Sequence, residues 1–246
     1  MSGHSKWSTI KHKKGAKDIQ RAKVFNKLAR GIEVAARDGG NDVSANASLG
    51  HAVAKAKAAS MPNDNIERAI KRGTGETDGA HYDEIWYEGY APGGVAVFVQ
   101  ALTDNRNRAA SDIRSTFARN GGNLGEPGSV GYLFVQKGYV LAAGDEDEVM
   151  LAALDAGAED VRPGRGQHEV ICAPGDLDAV VAALEAGGVT VEDAEVTRLP
   201  MTSIALDESA ARSVLRLIDA LEELDDVQAV YANFDISDEI MAAVAG

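Results

Sequence analysis

The residues with the clearest chemical potential are the cations near the N-terminus. Residues 5–30 contain nine lysine and arginine side chains and a single acidic residue, Asp18. Crowded cations repel one another, so such a cluster is typical of a surface that binds phosphate groups; a solvated basic face is the alternative. Trp7 lies among the cations and could stack on a base, although packing against the first helix is its favoured role. The predicted nucleic-acid contacts are Lys6, Trp7, Lys11, His12, Lys13, Lys14, Lys17, Arg21, Lys23, Lys27 and Arg30.

The charge of the chain changes sign at one place. Residues 1–73 hold 15 basic and 6 acidic side chains, a net charge of +9, while residues 74–246 hold 10 basic and 32 acidic side chains, a net charge of −22. The net charge of −13 for the whole chain hides this division. Because the first segment attracts a polyanion and the second repels it, the sequence predicts one surface for nucleic acid and another that nucleic acid avoids.

Metal and nucleotide sites find little support in the residue pattern. His4 and His12 could ligate a metal, but no cysteine and no nearby carboxylate pair completes a shell, so phosphate hydrogen bonding or solvent exposure is expected. The stretch Gly73-Thr74-Gly75 lacks the Gly-Lys-Ser/Thr ending of a P-loop. The glycine-rich residues 121–128 follow a helix and precede a strand, the reverse of a dinucleotide-binding turn. Both stretches are interpreted as caps and turns, and the second is long enough to be a functional surface loop.

Catalysis is equally poorly supported. Cys172 and His168 share a strand face, but no third partner is evident, and the acidic residues at 145–148 and 225–226 suit helix starts and turns. We therefore expect no enzyme activity, no cofactor, no metal and no small-molecule substrate.

No stretch approaches the ~20 apolar residues that span a bilayer. A single cysteine and an N-terminus without an apolar signal core lead us to expect a cytoplasmic protein with no membrane partner.

Apolar residues at helical spacing predict three short helices in the first third of the chain. They cover residues 17–37, 45–59 and a segment that opens at Asn63-Asp64 and closes at 73–75. Asp64 and Glu67 have the spacing of a capping box for the third helix. Each helix has one apolar stripe that needs a partner, so residues 1–75 are predicted to form a basic, helical, nucleic-acid-binding domain.

Beyond residue 83 strand and helix patterns alternate. Residues 139–198 have the order βαββαβ, the split βαβ arrangement of ferredoxin-like domains, with separate strands predicted at 130–135 and 139–142. Residues 83–135 and 201–235 each supply half of a second such unit. The predicted fold class is α+β and multidomain: a three-helix domain, then a ferredoxin-like domain of residues 83–135 plus 201–240, with a second ferredoxin-like domain, residues 137–199, inserted in it.

Seven stretches of the chain form long, specific motifs. They are Gly3-His4-Ser5-Lys6-Trp7, Ile10-Lys11-His12-Lys13-Lys14, Lys55-Ala56-Lys57-Ala58-Ala59, Met61-Pro62-Asn63-Asp64-Asn65-Ile66-Glu67-Arg68-Ala69-Ile70, Tyr87-Glu88-Gly89-Tyr90-Ala91-Pro92-Gly93-Gly94, Gly121-Gly122-Asn123-Leu124-Gly125 and Gly128-Ser129-Val130. These motifs resemble the YebC/PmpR family, and the similarity runs from residue 2 to about residue 240. The resemblance implies a helical N-terminal domain and two α/β domains that form a cleft.

The resemblance also implies a choice of function. Members of the family are described as probable transcriptional regulators that bind DNA, while relatives, including a mitochondrial translational activator, act at the ribosome. A DNA-binding transcriptional regulator is therefore the first hypothesis, and a ribosome-associated translation factor that contacts ribosomal RNA is the alternative. One departure matters: where the family usually has Pro-Arg-Leu-Arg, this chain has Ala47-Ser48-Leu49-Gly50 and lacks both cations. The binding surface is accordingly predicted in the N-terminal arm and the first helix.

Overall fold

The computed structural model describes residues 18–78, 81–164 and 166–245. Three helices come first and form what we call the helical domain. They lie within two residues of the helices predicted from the apolar spacing. Their bounds are α1 Asp18–Gly39, α2 Ala47–Ala58 and α3 Asn63–Gly73.

Strands and helices then alternate to the end of the described chain. The first group consists of β1 Asp83–Tyr90, β2 Ala96–Thr103, α4 Arg106–Arg119 and β3 Asn123–Leu124. The second group consists of β4 Phe134–Ala143, α5 Glu146–Asp155, β5 Asp160–Arg162, β6 His168–Cys172, α6 Leu177–Ala186 and β7 Thr190–Pro200. The last group consists of β8 Ile204–Ala205, α7 Glu208–Glu222, β9 Val227–Ala232, β10 Phe234–Asp235 and α8 Asp238–Ala245. We call the second group the inserted unit, and the first and last groups together the outer unit.

The helical domain is held by the apolar stripes of its three helices and by buried polar side chains, among them Asn46. The Asn46 side chain accepts a hydrogen bond from the Leu49 amide at 3.1 Å, which caps α2. Its amide group donates to the carbonyls of Ala35 at 2.8 Å and Gly40 at 2.9 Å, which fastens the end of α1 to the start of α2. The buried apolar residues are Ile32, Ala36, Leu49, Val53, Ala56, Met61, Ile66 and Ala69.

The start of α3 differs from the prediction. Its N-cap residue is Pro62, and no side chain caps the helix. Proline has a backbone φ already suited to the start of a helix, so the helix begins before Asp64 can serve as its cap. The predicted capping box of Asp64 and Glu67 is therefore wrong; Asp64 lies within the first turn, where its charge is favourable to the helix dipole.

The outer unit contains an antiparallel sheet of order β3-β1-β2-β9. Helices α4 and α7 cover one face of this sheet. The sequence pattern does not predict β1, because Asp83, Glu84 and Glu88 interrupt its apolar residues. In the sheet β1 lies where the third strand of a ferredoxin-like unit lies, beside β2, although it comes first along the chain. The unit thus has the ferredoxin-like sheet order, with its third strand moved to the start of the chain order. Its core includes Val97, Val99, Ile113, Phe117, Val214, Leu217, Ile218, Leu221 and Val230.

The inserted unit has the unpermuted ferredoxin-like order. Its sheet runs β5-β6-β4-β7 with all neighbours antiparallel, and α5 and α6 pack on one face. The fold class is therefore α+β, with a three-helix domain followed by two ferredoxin-like units, one inserted in the other. The core of the inserted unit includes Val140, Val149, Val170, Cys172, Leu177, Val180 and Leu184.

The strand that enters the inserted unit is longer than predicted. Separate strands at 130–135 and 139–142 are wrong: residues 134–143 form one strand, and 131–133 form a short 3-10 turn. Polar residues and Gly138 break the apolar pattern between the two predicted strands, but pairing with β7 continues through them, from Phe134 opposite Pro200 to Ala143 opposite Thr190. Gly138 is required because a Cβ there would lie 2.5 Å from the sulfur of Cys172.

An arginine of the inserted unit packs on aromatic rings of the outer unit. The Arg198 guanidinium, on β7, lies 4.6 Å from the ring centroid of Trp86 on β1 and 5.4 Å from that of Phe98 on β2. Trp86 and Phe98 stack with centroids 4.4 Å apart, on the face of the outer sheet opposite its helices. Cation–π contacts of this kind are directional, so they orient the two sheets relative to each other.

The C-terminal part of the outer unit adds two elements. Strands β8 and β10 form a short parallel pair, and α8, which the sequence pattern does not predict, packs against α7. Arg212 on α7 donates a hydrogen bond to the Ala243 carbonyl at 2.8 Å. Across residues 18–78, 81–164 and 166–245, no helix has the length and apolarity needed to cross a membrane.

Candidate nucleic-acid interface

The predicted contact residues divide into two groups. Seven of them lie outside the described residues: Lys6, Trp7, Lys11, His12, Lys13, Lys14 and Lys17. The other four, Arg21, Lys23, Lys27 and Arg30, lie on α1. The structure places these four in two different environments.

The N-terminal turns of α1 present their cations to solvent. Arg21 and Lys23 are exposed. The guanidinium of Arg21 lies over the ring of Phe25, one turn later, at 5.3 Å from its centroid. This contact holds the charge at the helix surface without neutralising it, so both cations are accessible to an anion.

The middle of α1 is docked on the outer unit instead. The Lys27 ammonium donates a hydrogen bond to the carbonyl of Glu222. Arg30 Nη1 donates to the Asp225 carbonyl at 2.7 Å and to Asp226 Oδ1 at 3.0 Å, and its guanidinium lies 5.3 Å from the ring centroid of Tyr82. Two of the predicted phosphate contacts therefore bind protein groups at the connection between α7 and β9.

Asp226 is the centre of this joint. Its side chain is 8% exposed and accepts hydrogen bonds from Arg30 on α1 and from Arg108 on α4, at distances of 3.0 to 3.2 Å. Hydrogen bonds to Asp104 and Asp226 raise the pKa of Arg108 above its usual value. The charge of a buried carboxylate that bridges two guanidiniums is compensated. Removal of the carboxylate leaves the guanidiniums without a counter-charge, and removal of a guanidinium leaves the buried carboxylate less compensated.

A second buried carboxylate joins α1 to α3. Glu33 is paired with Arg72, and burial raises the pKa of the Glu33 carboxyl although Arg72, Arg30 and Arg37 favour its charged form. A cavity of about 420 Å³ lies beside this pair. Its lining mixes both signs of charge, so it is not a uniformly basic phosphate pocket. The residues that line it are Asn26, Ala29, Arg30, Glu33, Arg72, Asp78 and Tyr82. No group of three or more metal-ligating side chains forms anywhere in the part of the chain that the structure describes.

The helical domain also carries basic side chains outside the predicted contact residues. Lys57 on α2 and Arg68 and Lys71 on α3 are exposed. His51 and Lys55 are four residues apart on one face of α2, and that spacing is the signal that could have grouped them. They face the inserted unit: Lys55 Nζ lies 3.1 Å from Glu195 Oε2, and His51 Nε2 lies 3.5 Å from Asp178 Oδ1.

The sequence and the fold match those of known proteins. A family model described as the TACO1/YebC protein N-terminal domain matches residues 5–76, and a model of the TACO1/YebC second and third domain matches residues 82–234. The chain belongs to the TACO1/YebC family. The family resemblance predicted from the motifs is thus confirmed.

Relatives with regulatory names span the full chain. A protein of Rubrobacter xylanophilus is 60% identical, with 100% of each chain covered, and one of Acidothermus cellulolyticus is 55% identical, with 99% of this chain and 100% of the relative covered. Each is named a probable transcriptional regulatory protein. The crystal structure of a conserved hypothetical protein from Aquifex aeolicus has a TM-score of 0.81 and 48% identity, over 93% of this chain and 97% of that one.

Within this TACO1/YebC chain, the motif at residues 87–94 organises the glycine-rich loop. The buried Glu88 carboxylate accepts hydrogen bonds from the amides of Gly128, Val130 and Gly131 at 2.6 to 2.7 Å, and its carbonyl accepts one from Gly125 at 2.7 Å. Burial alone would raise the pKa of Glu88, but these amide bonds outweigh it and the pKa is lowered. The loop between β3 and β4 is therefore held in one shape by a side chain of β1.

Proposed function

We propose that this chain is a cytoplasmic, non-enzymatic regulator of gene expression that binds the phosphate backbone of nucleic acid, with DNA as the first target. The observation that carries the proposal is the division of charge, +9 over residues 1–73 and −22 over residues 74–246. The names of the relatives, which are probable transcriptional regulatory proteins, support the same assignment. No cofactor, metal or small-molecule substrate takes part.

Helix α1 connects the binding surface to the rest of the protein. Lys27 and Arg30 anchor the helix to the outer unit, while Arg21 and Lys23 at its other end stay exposed. Residues 11–17, with four lysines, directly precede that exposed end in the sequence. Lysine is a point charge without a planar fork, so this surface grips backbone and discriminates poorly between bases.

The salt dependence of binding tests the proposal. With a fluorescent duplex of random sequence, log Kd should depend linearly on log salt, with a slope magnitude of about 0.9 for each neutralised phosphate. Changing Lys11, Lys13 and Lys14 to Ala should make this slope shallower by roughly 2–3 units. A matched control removes the same charge from exposed arginines of the outer unit, Arg114, Arg119 and Arg216. Equal effects of the two triple variants would refute phosphate binding by the N-terminal segment.

Substitutions in the two halves of α1 should have different effects in the same titration. Changing Arg21 and Lys23 to Ala should flatten the slope by about 2 units and leave the free energy of unfolding within about 0.5 kcal/mol of the wild type. Changing Arg30 to Ala should lower stability, because it removes one of the two arginines that contact the buried Asp226 carboxylate.

The choice between DNA and the ribosome needs a competition experiment at fixed salt. Genomic fragments and purified ribosomes compete for the labelled protein. A transcriptional regulator should hold a selected fragment at least ~10³-fold above random DNA. If the protein binds ribosomes saturably and no genomic fragment is preferred over random DNA by this margin, translation would replace transcription as the regulated step.

A further inference from the structure

Helix α2 presents a histidine and a lysine to an acidic face of the inserted unit. Lys55 Nζ contacts Glu195 Oε2 on β7 at 3.1 Å, and His51 Nε2 contacts Asp178 Oδ1 in the first turn of α6 at 3.5 Å. Glu195 and the neighbouring Asp193 raise the pKa of Lys55. The inserted unit thus places carboxylates against Lys55 and His51 of a domain whose net charge is positive.

The two joints of the helical domain are unequal. At the α1 joint the Asp226 carboxylate is buried and bridges two arginines, whereas at the α2 joint the side chains of Lys55 and Glu195 are 67% and 39% exposed. The Asp178 side chain is 89% exposed. Exposed ion pairs contribute little to stability and are screened by salt. The helical domain is therefore firmly attached through α1 and only loosely covered along α2.

We propose that His51 and Lys55 form a second phosphate-contact face of the helical domain, which Glu195 and Asp178 occupy until nucleic acid displaces them. The proposal rests on the proposed binding of nucleic acid. Carboxylate and phosphate oxygens accept the same hydrogen bonds from an ammonium group, so the two compete for Lys55. A phosphodiester backbone brings many charges and releases counterions on binding, which one exposed carboxylate cannot match.

The occupied face acts as an internal competitor. Nucleic acid that reaches α2 must first break the pairs with the inserted unit, so the observed affinity of the full chain is lower than that of an uncovered helical domain. Selected backbone geometries that reach both the basic segment and α2 gain the extra contact.

A pair of charge-matched variants of the full chain tests this competition. Glu195→Gln removes the carboxylate that contacts Lys55, while Glu192→Gln removes the same charge from the same strand, where it bonds Gln167 rather than a cation. With a fluorescent random-sequence duplex at fixed salt, Glu195→Gln should tighten binding about two- to fivefold more than Glu192→Gln. In a Lys55→Ala background the two Gln variants should bind alike.

A second pair of variants tests the cation itself. Lys55→Ala should weaken duplex binding and make the salt slope shallower by about 1 unit. Asp178→Asn should change the salt slope in the opposite sense and by less. Spin labels on Ala54→Cys and Glu185→Cys, exposed positions on α2 and α6, report whether the joint opens. Addition of duplex should lengthen or broaden the distance distribution between them.

The outcomes separate the two proposals. Equal affinities of Glu195→Gln and Glu192→Gln, or an unchanged label distance with duplex bound, would overturn the competition and leave the proposed function standing. Absence of salt-dependent duplex binding by the wild type and by every variant would overturn both. All the changed side chains lie in or near solvent, so circular dichroism should match the wild type throughout.

Discussion

Arg30 Nη1 lies 3.0 Å from Oδ1 of Asp226, and this contact joins the helical domain to the outer unit. Arg30 belongs by its sequence position to a run of cations that we predict to bind phosphate, yet its guanidinium is directed at a buried carboxylate and at the Asp225 carbonyl. The same carboxylate holds Arg108 of α4. The Asp226 carboxylate and the carbonyls of Glu222 and Asp225 thus anchor the middle of the basic helix.

Asp226→Ala should destabilise the protein by about 2–3 kcal/mol. It leaves the Arg30 guanidinium partly buried without its counter-charge and removes three hydrogen bonds from Arg108. Chemical denaturation followed by circular dichroism measures the change. Asp225→Asn is the control, because Arg30 contacts only the backbone carbonyl of that exposed residue and the carbonyl is retained. Equal stability of the two variants would show that the joint does not depend on the Asp226 carboxylate.

Glu88→Gln should destabilise the loop between β3 and β4, at a cost of about 2 kcal/mol at neutral pH. A neutral amide offers one oxygen where the carboxylate accepts three amide hydrogen bonds. Hydrogen exchange at Gly128, Val130 and Gly131 should accelerate in the variant. Glu126→Gln, an exposed carboxylate of the same loop, should leave these amides protected.

The effect of Glu88 on stability should depend on pH. Its folded-state pKa lies below the ordinary value of 4.5, so its contribution is fully present above that pH and is lost as the pH falls through the folded-state pKa. The difference in unfolding free energy between the wild type and Glu88→Gln should therefore shrink below about pH 4.5. A difference that stays constant as the pH falls would contradict this assignment.

Two glycines of the helical domain should respond oppositely to alanine. A Cβ at Gly31 meets nothing within 4 Å, so Gly31→Ala should stabilise α1 by about 1 kcal/mol. A Cβ at Gly73 would lie 2.3 Å from the Glu33 carbonyl oxygen, so Gly73→Ala must push α3 away from α1 and should cost roughly 2 kcal/mol. Thermal melts of the two variants compare them directly. Similar melting temperatures would show that α1 and α3 do not approach as closely as described.

The inserted unit should fold by itself, as its complete strand order predicts. A fragment of residues 134–200 keeps β4 and β7 whole. A fragment of residues 137–199 lacks the first three residues of β4 and Pro200, and so loses the pairs Phe134–Pro200, Val135–Leu199 and Gln136–Arg198. We expect a cooperative melt with mixed α/β dichroism for the longer fragment and a lower melting temperature for the shorter one. Burial raises the pKa of the Cys172 thiol, so the thiol should react only after unfolding. A longer fragment without a cooperative transition would contradict independent folding.

Sequence patterns predict local structure here because helical and strand periodicity are properties of neighbouring residues. The helices of residues 1–75, the βαββαβ order and the family motifs could all be recognised in this way. Three elements could not. Strand β1 carries acidic residues, of which Glu88 is buried by amides of a distant loop; β4 is continuous only because β7 pairs across its polar middle; and α8 is too short for a clear period.

The amino-acid sequence alone determined the sign and place of the charges, and so the class of ligand that the helical domain can attract. Only the tertiary structure decided which cations are exposed. Arg21 and Arg30 have similar sequence surroundings, but Arg30 is held by the Asp225 carbonyl and the Asp226 carboxylate, far along the chain. Long-range contacts of this kind leave no periodic pattern, because they depend on how separate elements pack rather than on neighbouring residues.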